Sequence, residues 1–322
     1  MKNTFHVTSE YRGVRVDKFL FENMGTNTRG EIIRMIKSGA VLINGKKIKP
    51  SLTLKGGEII NVGEYEEKTT EILPNKNVFV EIVENTPDFI VINKPRGLQV
   101  HPSHREREKT VVNALLAKFP EIKSVGDDEE RPGIVHRIDK DTTGLLIVAK
   151  NQQTFDTLKT LFSEKNIQKT YHAIVCGHLQ EKSGIIDAPI ARATSYTKQK
   201  IAFGKYKGDA RSAQTTYCVQ EEYMIDDVAL SLVEVKPQTG RTHQIRVHMA
   251  HIGHPLLGDQ RYYTKNERKI VLNIPKEYAI ETFFLHAKEI SFYINGKKQH
   301  FNIKYPDRFH ALVHFLQAFR IK

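Results

Sequence analysis

Apolar positions set the first picture of this chain. Val16, Phe19 and Leu20 recur at the spacing of one helix face, and Ile32, Ile33 and Ile36 do so again, leaving Arg29, Arg34 and Lys37 for the outer faces. Residues 41–43 then run into Asn44-Gly45, which predicts a strand entering a tight turn because Asn-Gly tolerates positive φ. A return strand is predicted over 59–62. Residues 63–76 are polar and acidic (Glu64, Glu66, Glu67, Glu71) with Pro74 near their end, the composition of a linker. Further on, short apolar runs predict strands over 78–83, 89–93, 133–138, 145–149, 171–176, 215–220 and 229–235. Helical spacing appears over 111–119, 154–162, 242–252 and 309–319. Strands and helices do not alternate strictly, and several strands are joined by turns. The expected class is therefore α+β, with a mixed, mostly antiparallel central sheet flanked by helices. Three segments result: a small module over 1–62, a linker over 63–76 and a larger unit over 77–322.

Charge changes this picture most. The chain of 322 residues carries a formal net charge of +12, and residues 1–60 hold 11 Lys/Arg against 5 Asp/Glu, so half the excess sits on under a fifth of the length. Clustered cations of this kind suit a polyanion, and nucleic acid is favoured over a membrane surface. No stretch approaches the roughly 18 apolar residues of a membrane span, and no signal-peptide pattern opens the chain. The two cysteines, Cys176 and Cys218, form neither a metal spacing nor a disulfide framework, which fits a reducing cytoplasm.

The segment His136-Arg137-Ile138-Asp139-Lys140-Asp141-Thr142-Thr143-Gly144 holds the sharpest candidate chemistry. Cations beside a carboxylate favour its ionised form, so Asp139 is read as a charged nucleophile or cation stabiliser and not a proton donor. On spacing alone the segment fits a charged turn ahead of a buried strand better than a catalytic site. It resembles, however, the signature of the RluA family of pseudouridine synthases, in which the aspartate of HR(L/I)D is catalytic. Three more segments follow that family in order. Ile92-Asn93-Lys94-Pro95-Arg96-Gly97-Leu98-Gln99-Val100-His101-Pro102 is similar to its opening KPxGLxVHP motif, with Asn93 where Asp is common. Lys169-Thr170-Tyr171-His172-Ala173 matches KxYxA, and Gly240-Arg241-Thr242-His243-Gln244-Ile245-Arg246 precedes Gly253-His254-Pro255-Leu256-Leu257-Gly258-Asp259. The N-terminal residues Arg15 to Leu20, Arg29, Ile36 to Val41 and Asn44-Gly45 resemble the αL RNA-binding module of a small-subunit ribosomal protein, with Thr28 and Glu58 replacing its usual Ser and Asp.

The resemblance implies an RNA pseudouridine synthase. Making pseudouridine breaks the bond from C1′ to N1 of uracil, turns the base and rejoins it through C5. Cleavage develops oxocarbenium-like charge that one carboxylate can stabilise or capture. The uracil anion leaves readily and no water should attack, so a single carboxylate, Asp139, is enough. Whether it adds to C1′ or removes a sugar proton stays open. By match to the family, Arg246 is the guanidinium that holds Asp139, with Arg241 as second choice. Tyr171 is the face on which uracil stacks, and Arg137 fills the gap left in the RNA. His136, Arg241 and Lys94 are further RNA contacts, as are Arg15, Arg29, Arg34 and Lys37 of the module. Isomerisation has no redox or energy input, so no cofactor is expected. His243, His248, His251 and His254 lack the carboxylate or Cys that would complete a metal site. The expected partner is RNA, large-subunit ribosomal RNA ahead of transfer RNA, with the protein working as a monomer. Two rivals remain: an RNA-binding or ribosome-assembly factor that keeps the fold without the activity, and a nucleoside hydrolase with Asp141 as its second carboxylate.

Overall fold

The computed structural model describes residues 3–25, 29–65, 71–103, 105–193, 198–204, 207–263, 274–275, 278 and 280–321. The chain divides into two compact units, 1–71 and 72–322.

In the smaller unit, β1 (Asn3–His6) is followed by α1 (Val16–Met24), α2 (Arg29–Ser38), β2 (Val41–Ile43), β3 (Lys46–Lys47) and β4 (Ile59–Val62). The strands form an antiparallel sheet of order β1-β4-β2-β3. Val16 and Leu20 from α1, Ile32 and Ile36 from α2, and Val41 and Ile60 from the sheet are buried together, as the helical spacing predicts. The turn after β2 takes positive φ at both Asn44 (48°) and Gly45 (76°), and the Asn44 side chain accepts from the Ile59 amide at 2.9 Å, which pins β4.

The larger unit is built on β5 (Glu81–Asn85), β6 (Phe89–Lys94), α3 (Val111–Lys118), β7 (Thr143–Ala149), α4 (Gln152–Ser163) and β8 (Gln168–Cys176). It continues with β9 (Ser183–Asp187), β10 (Ile190–Arg192), β11 (Gln199–Ile201), β12 (Lys207–Arg211), β13 (Gln214–Ile225), β14 (Val228–Pro237), α5 (Gln244–His251), β15 (Leu285–Ile294), β16 (Lys297–Asn302) and α6 (Asp307–Leu316). Nine strands make one sheet of order β5-β6-β7-β15-β8-β14-β13-β9, with β16 paired to β15. Among the described residues only the β7–β15 pair of this sheet is parallel; its other pairs are antiparallel. Strands β10, β11 and β12 form a separate small sheet. Leu73 and Asn75, inside the expected linker, belong to this unit: their backbones bond Asn113, which also caps α3 through Thr110.

Two features of β7 position the Asp139 turn. Gly144 has φ 111°, and a Cβ there would run into the Ala287 backbone, so glycine permits the close parallel approach of β15. The strand expected over 133–138 does not form. Only Ile134 bridges Val148, and the Ile147 amide donates instead to Nε2 of His136 at 2.9 Å. A side chain replaces the strand acceptor, so residues 135–139 peel away from the sheet toward the cleft. The sequence pattern also starts β5 too early and omits β9 to β12, β15 and β16. Most of those strands expose one face, so polar residues interrupt their apolar runs.

Candidate active site

Beside that peeled segment lies a cleft of about 270 Å³. It is lined by His136, Arg137 and Asp139 from the turn, Lys169 and Tyr171 from β8, residues 237–241 after β14, and Gln244, Ile245 and Arg246 from α5. Three sequence-distant motifs thus converge, because β7 and β8 both flank β15 and the β14–α5 connection closes over their ends. Gln244 holds that connection in place. Its amide oxygen accepts from the Arg241 amide at 3.0 Å and the Thr239 hydroxyl at 2.6 Å, while its NH2 donates to Gln214 and Thr215, each at 2.9 Å. His243, just before α5, sits in the left-handed region at φ 56°, which starts the helix abruptly and aims Arg246 inward.

Arg246 is 6% exposed and joins two carboxylates. One terminal nitrogen donates to Oδ2 of Asp139 at 2.9 Å. The Nε and the other terminal nitrogen grip Asp259 bidentately, at 2.6 and 2.9 Å. Its guanidinium lies 4.2 Å from the Phe283 ring centroid and 5.2 Å from that of Tyr262. Burial disfavours the charge, yet Asp259 and Asp139 outweigh it and raise the Arg246 pKa. Asp259 is 1% exposed, and sequence reasoning gave it no role. Its place at the end of the Gly253 to Asp259 segment was the available signal.

Tyr171 is 8% exposed, and its phenol is pushed well up by burial and by the nearby Asp139, so it stays protonated beside that carboxylate. Lys169, also in the cleft, is lowered by burial to about 8. Asp139 is the only carboxylate among the described residues lining the cleft. The arrangement can hold a planar base against Tyr171 and bring one fixed anion to a developing cation, without a second carboxylate to activate water.

Comparison with known proteins agrees in every register. A family model described as RNA pseudouridylate synthase matches residues 88–251, and an S4 domain model matches 14–60. An uncharacterized RNA pseudouridine synthase of Aquifex aeolicus is 37% identical over 309 residues, 94% of each chain. The ribosomal large subunit pseudouridine synthase D of Yersinia pestis is 35% identical, covering 97% of this chain and 94% of that one. The chain belongs to the RNA pseudouridylate synthase family. Human RNA pseudouridylate synthase domain containing 1 superposes with a TM-score of 0.57 at 26% identity, over 76% of this chain and 97% of the human one. The protein is thus an RNA pseudouridine synthase, an isomerase, and the α+β class expected from the strand and helix pattern is the family's.

The remaining predicted residues divide. Arg137 of the synthase is exposed at the cleft mouth. Arg241 lines the cleft and donates from Nε to the Ser212 carbonyl at 3.1 Å. Lys94 cannot contact RNA: it is 0% exposed and its ammonium donates to the carbonyls of Pro95, Leu98 and Lys140 at 2.8, 2.9 and 2.8 Å. Burial lowers it to about 7, and the Lys140 contact makes it a brace of the Asp139 turn. His136 is not a cation either. Its Nε2 accepts from Ile147, its ring stacks on Phe162 at 4.5 Å, and burial lowers it to about 3. In the S4 module Arg15 is bidentate to the buried Asp17, at 2.9 Å twice, with half its side chain still exposed. Arg34 and Lys37 are exposed, and the Arg29 side chain lies outside the described residues. His243, His248 and His254 bond Tyr262, Thr215 with Ala188, and Cys176 respectively, so they do not converge.

These histidines make a pH prediction. Burial lowers His136 to about 3 and His101, His243 and His286 to about 4. The unfolded chain takes up their protons near pH 6.5 while the folded one does not. The stability is complete above that pH and is lost as pH falls from about 6.5 toward about 4. Thermal melting should drop across this window. His136→Gln, whose amide oxygen can still accept from Ile147, should flatten the slope; an unaltered slope would contradict its neutral assignment.

Proposed function

We propose that this synthase converts specific uridines of large-subunit ribosomal RNA to pseudouridine, with Asp139 as the group that meets C1′. Arg246 keeps that carboxylate charged and oriented, and Tyr171 stacks the extruded uracil and stands close enough to assist proton transfer at C5. Arg137 enters the vacated stack, where a guanidinium both stacks and meets phosphate. The observation that carries these roles is the 2.9 Å contact from a nearly buried guanidinium to the single carboxylate of the cleft. Ribosomal RNA is favoured because relatives called ribosomal large subunit pseudouridine synthase D cover nearly all of this chain. Among the described residues the cleft has one carboxylate, so water attack lacks its base there, which disfavours the nucleoside-hydrolase alternative. We take the enzyme to act as a cytoplasmic monomer without metal or cofactor. Among the described residues no helix is long and apolar enough to cross a membrane.

The test is to incubate the purified protein with unmodified ribosomal and transfer RNA and map pseudouridines by chemical labelling and primer extension. New pseudouridine confined to transfer RNA would overturn the target. Deleting residues 1–62 should weaken RNA binding and flatten its salt dependence, because fewer phosphate contacts release fewer counterions. An unchanged salt slope would remove RNA binding from the S4 module.

A further inference from the structure

A second cavity, of about 230 Å³, adjoins the cleft and is used by none of the chemistry above. Leu285 lines both, and the catalytic turn divides its side chains between them. Asp139 and Thr142 line the cleft, whereas Asp141 and Thr143 line the second cavity. Phe79, Phe283, Phe284 and Phe309 provide four aromatic walls, and Arg96 and Arg308 bring two guanidiniums. The Arg308 guanidinium sits 3.8 Å from the Phe284 ring centroid and donates to the Thr282 carbonyl at 2.5 Å. Burial first, and then the nearby Arg96, depress its pKa to about 10, the mark of cations crowded in a poorly solvated place. Among the described residues Arg96 has a 3.6 Å ion pair with Glu281, whose side chain is 73% exposed. A surface pair of this kind is worth little and yields readily to a better anion.

The lining suits one ligand chemistry. Phosphate alone would leave the rings unused, and an acyl chain would strand two guanidiniums and two carboxylates, Asp141 and Glu81. A nucleotide suits most of them: rings and the Arg308 plane for the base, Asp141 as acceptor for base N–H groups, and Arg96 for the phosphodiester, while Glu81 accepts from Asn93 at 2.8 Å. Asp139 and Asp141 are two residues apart, at most about 7 Å along the backbone, so one RNA strand can reach both cavities. We propose that this cavity receives a second, unstacked nucleotide of the same RNA, close in the strand to the target uridine. The proposal rests on RNA occupying the Asp139 cleft, as argued above.

The experiment uses the full-length protein and an RNA fragment containing a uridine that this enzyme has been found to modify. Photoreactive 4-thiouridine is placed at the target, or singly at each of the neighbouring positions. Crosslinking from at least one neighbour to the peptides bearing Phe79 or Phe309 is expected, with the target itself crosslinking near Tyr171. Arg96→Gln and Phe79→Ala, both at exposed positions, should each weaken that neighbour crosslink. They should raise half-saturating RNA roughly tenfold, the scale of one lost base stack, and leave the saturated rate within about twofold and thermal melting unchanged. Asp141→Asn should alter which base is accepted at the crosslinking position. Target crosslinking near Tyr171 with none from any neighbour to Phe79 or Phe309 would overturn the second site and leave the first intact. Loss of the target crosslink as well, with normal turnover, would overturn both.

Discussion

Asp139→Asn should abolish pseudouridine formation, with a rate loss on the order of 10⁴-fold or more, as when a covalent catalyst is removed. The amide keeps the shape of the carboxylate and can still accept from Arg246. What it loses is the negative charge, and with it every route by which the group could act: adding to C1′, removing a sugar proton, or stabilising an oxocarbenium-like sugar. RNA affinity should stay within a few-fold, because contacts to the phosphate backbone set most of it. Single-turnover assays of uridine C5 proton release, paired with filter binding, check both halves. Normal turnover in the variant would remove Asp139 from the mechanism. A parallel collapse of binding would make it a substrate anchor.

Asp259→Asn is expected to have the next largest effect, without touching RNA. Asp259 holds two nitrogens of Arg246 and is 1% exposed, so neutralising it leaves a buried guanidinium half compensated. Breaking such a pair costs about 3–5 kcal/mol of folding stability. Arg246 then has only Asp139 to satisfy it, and the contact at 2.9 Å is free to shift. Misplacing the catalytic carboxylate by an ångström costs about 10²-fold in rate. Denaturant unfolding should show the stability loss, and single-turnover rates at saturating RNA should fall with half-saturation nearly unchanged. If stability fell but the saturated rate did not, Asp259 would be a packing residue and not one that positions Arg246.

The motifs told most about what touches substrate and least about what supports it. Asp139, Tyr171 and Arg246 lie in segments whose resemblance to the family motifs identifies them, and the structure brings all three to one cleft. Asp259 was passed over because its partner lies 13 residues away on another element and only the folded chain joins them. Lys94 and His136 were misread for the opposite reason. Residue type suggests a cation facing solvent, but three converging carbonyls enclose Lys94 and a backbone amide claims His136. The absent strand over 133–138 is the same error in another form. Its apolar alternation is real, yet a side chain takes the amide that a neighbouring strand would have paired. Charge along the chain pointed to the small basic unit correctly because its helices have one simple apolar face each, and no long-range contact was needed to see it.

The position of β15 also governs how this enzyme is born. It lies between β7 and β8 in the middle of the nine-stranded sheet, and its start pairs His286 with Thr143 across more than 140 residues. Until that strand leaves the ribosome, the nascent chain holds two part-sheets, each with an open inner edge able to recruit foreign strands. Catalytic competence is therefore acquired late and all at once. A chain released prematurely before residue 285 is a substrate for chaperones and proteases, not a weaker enzyme.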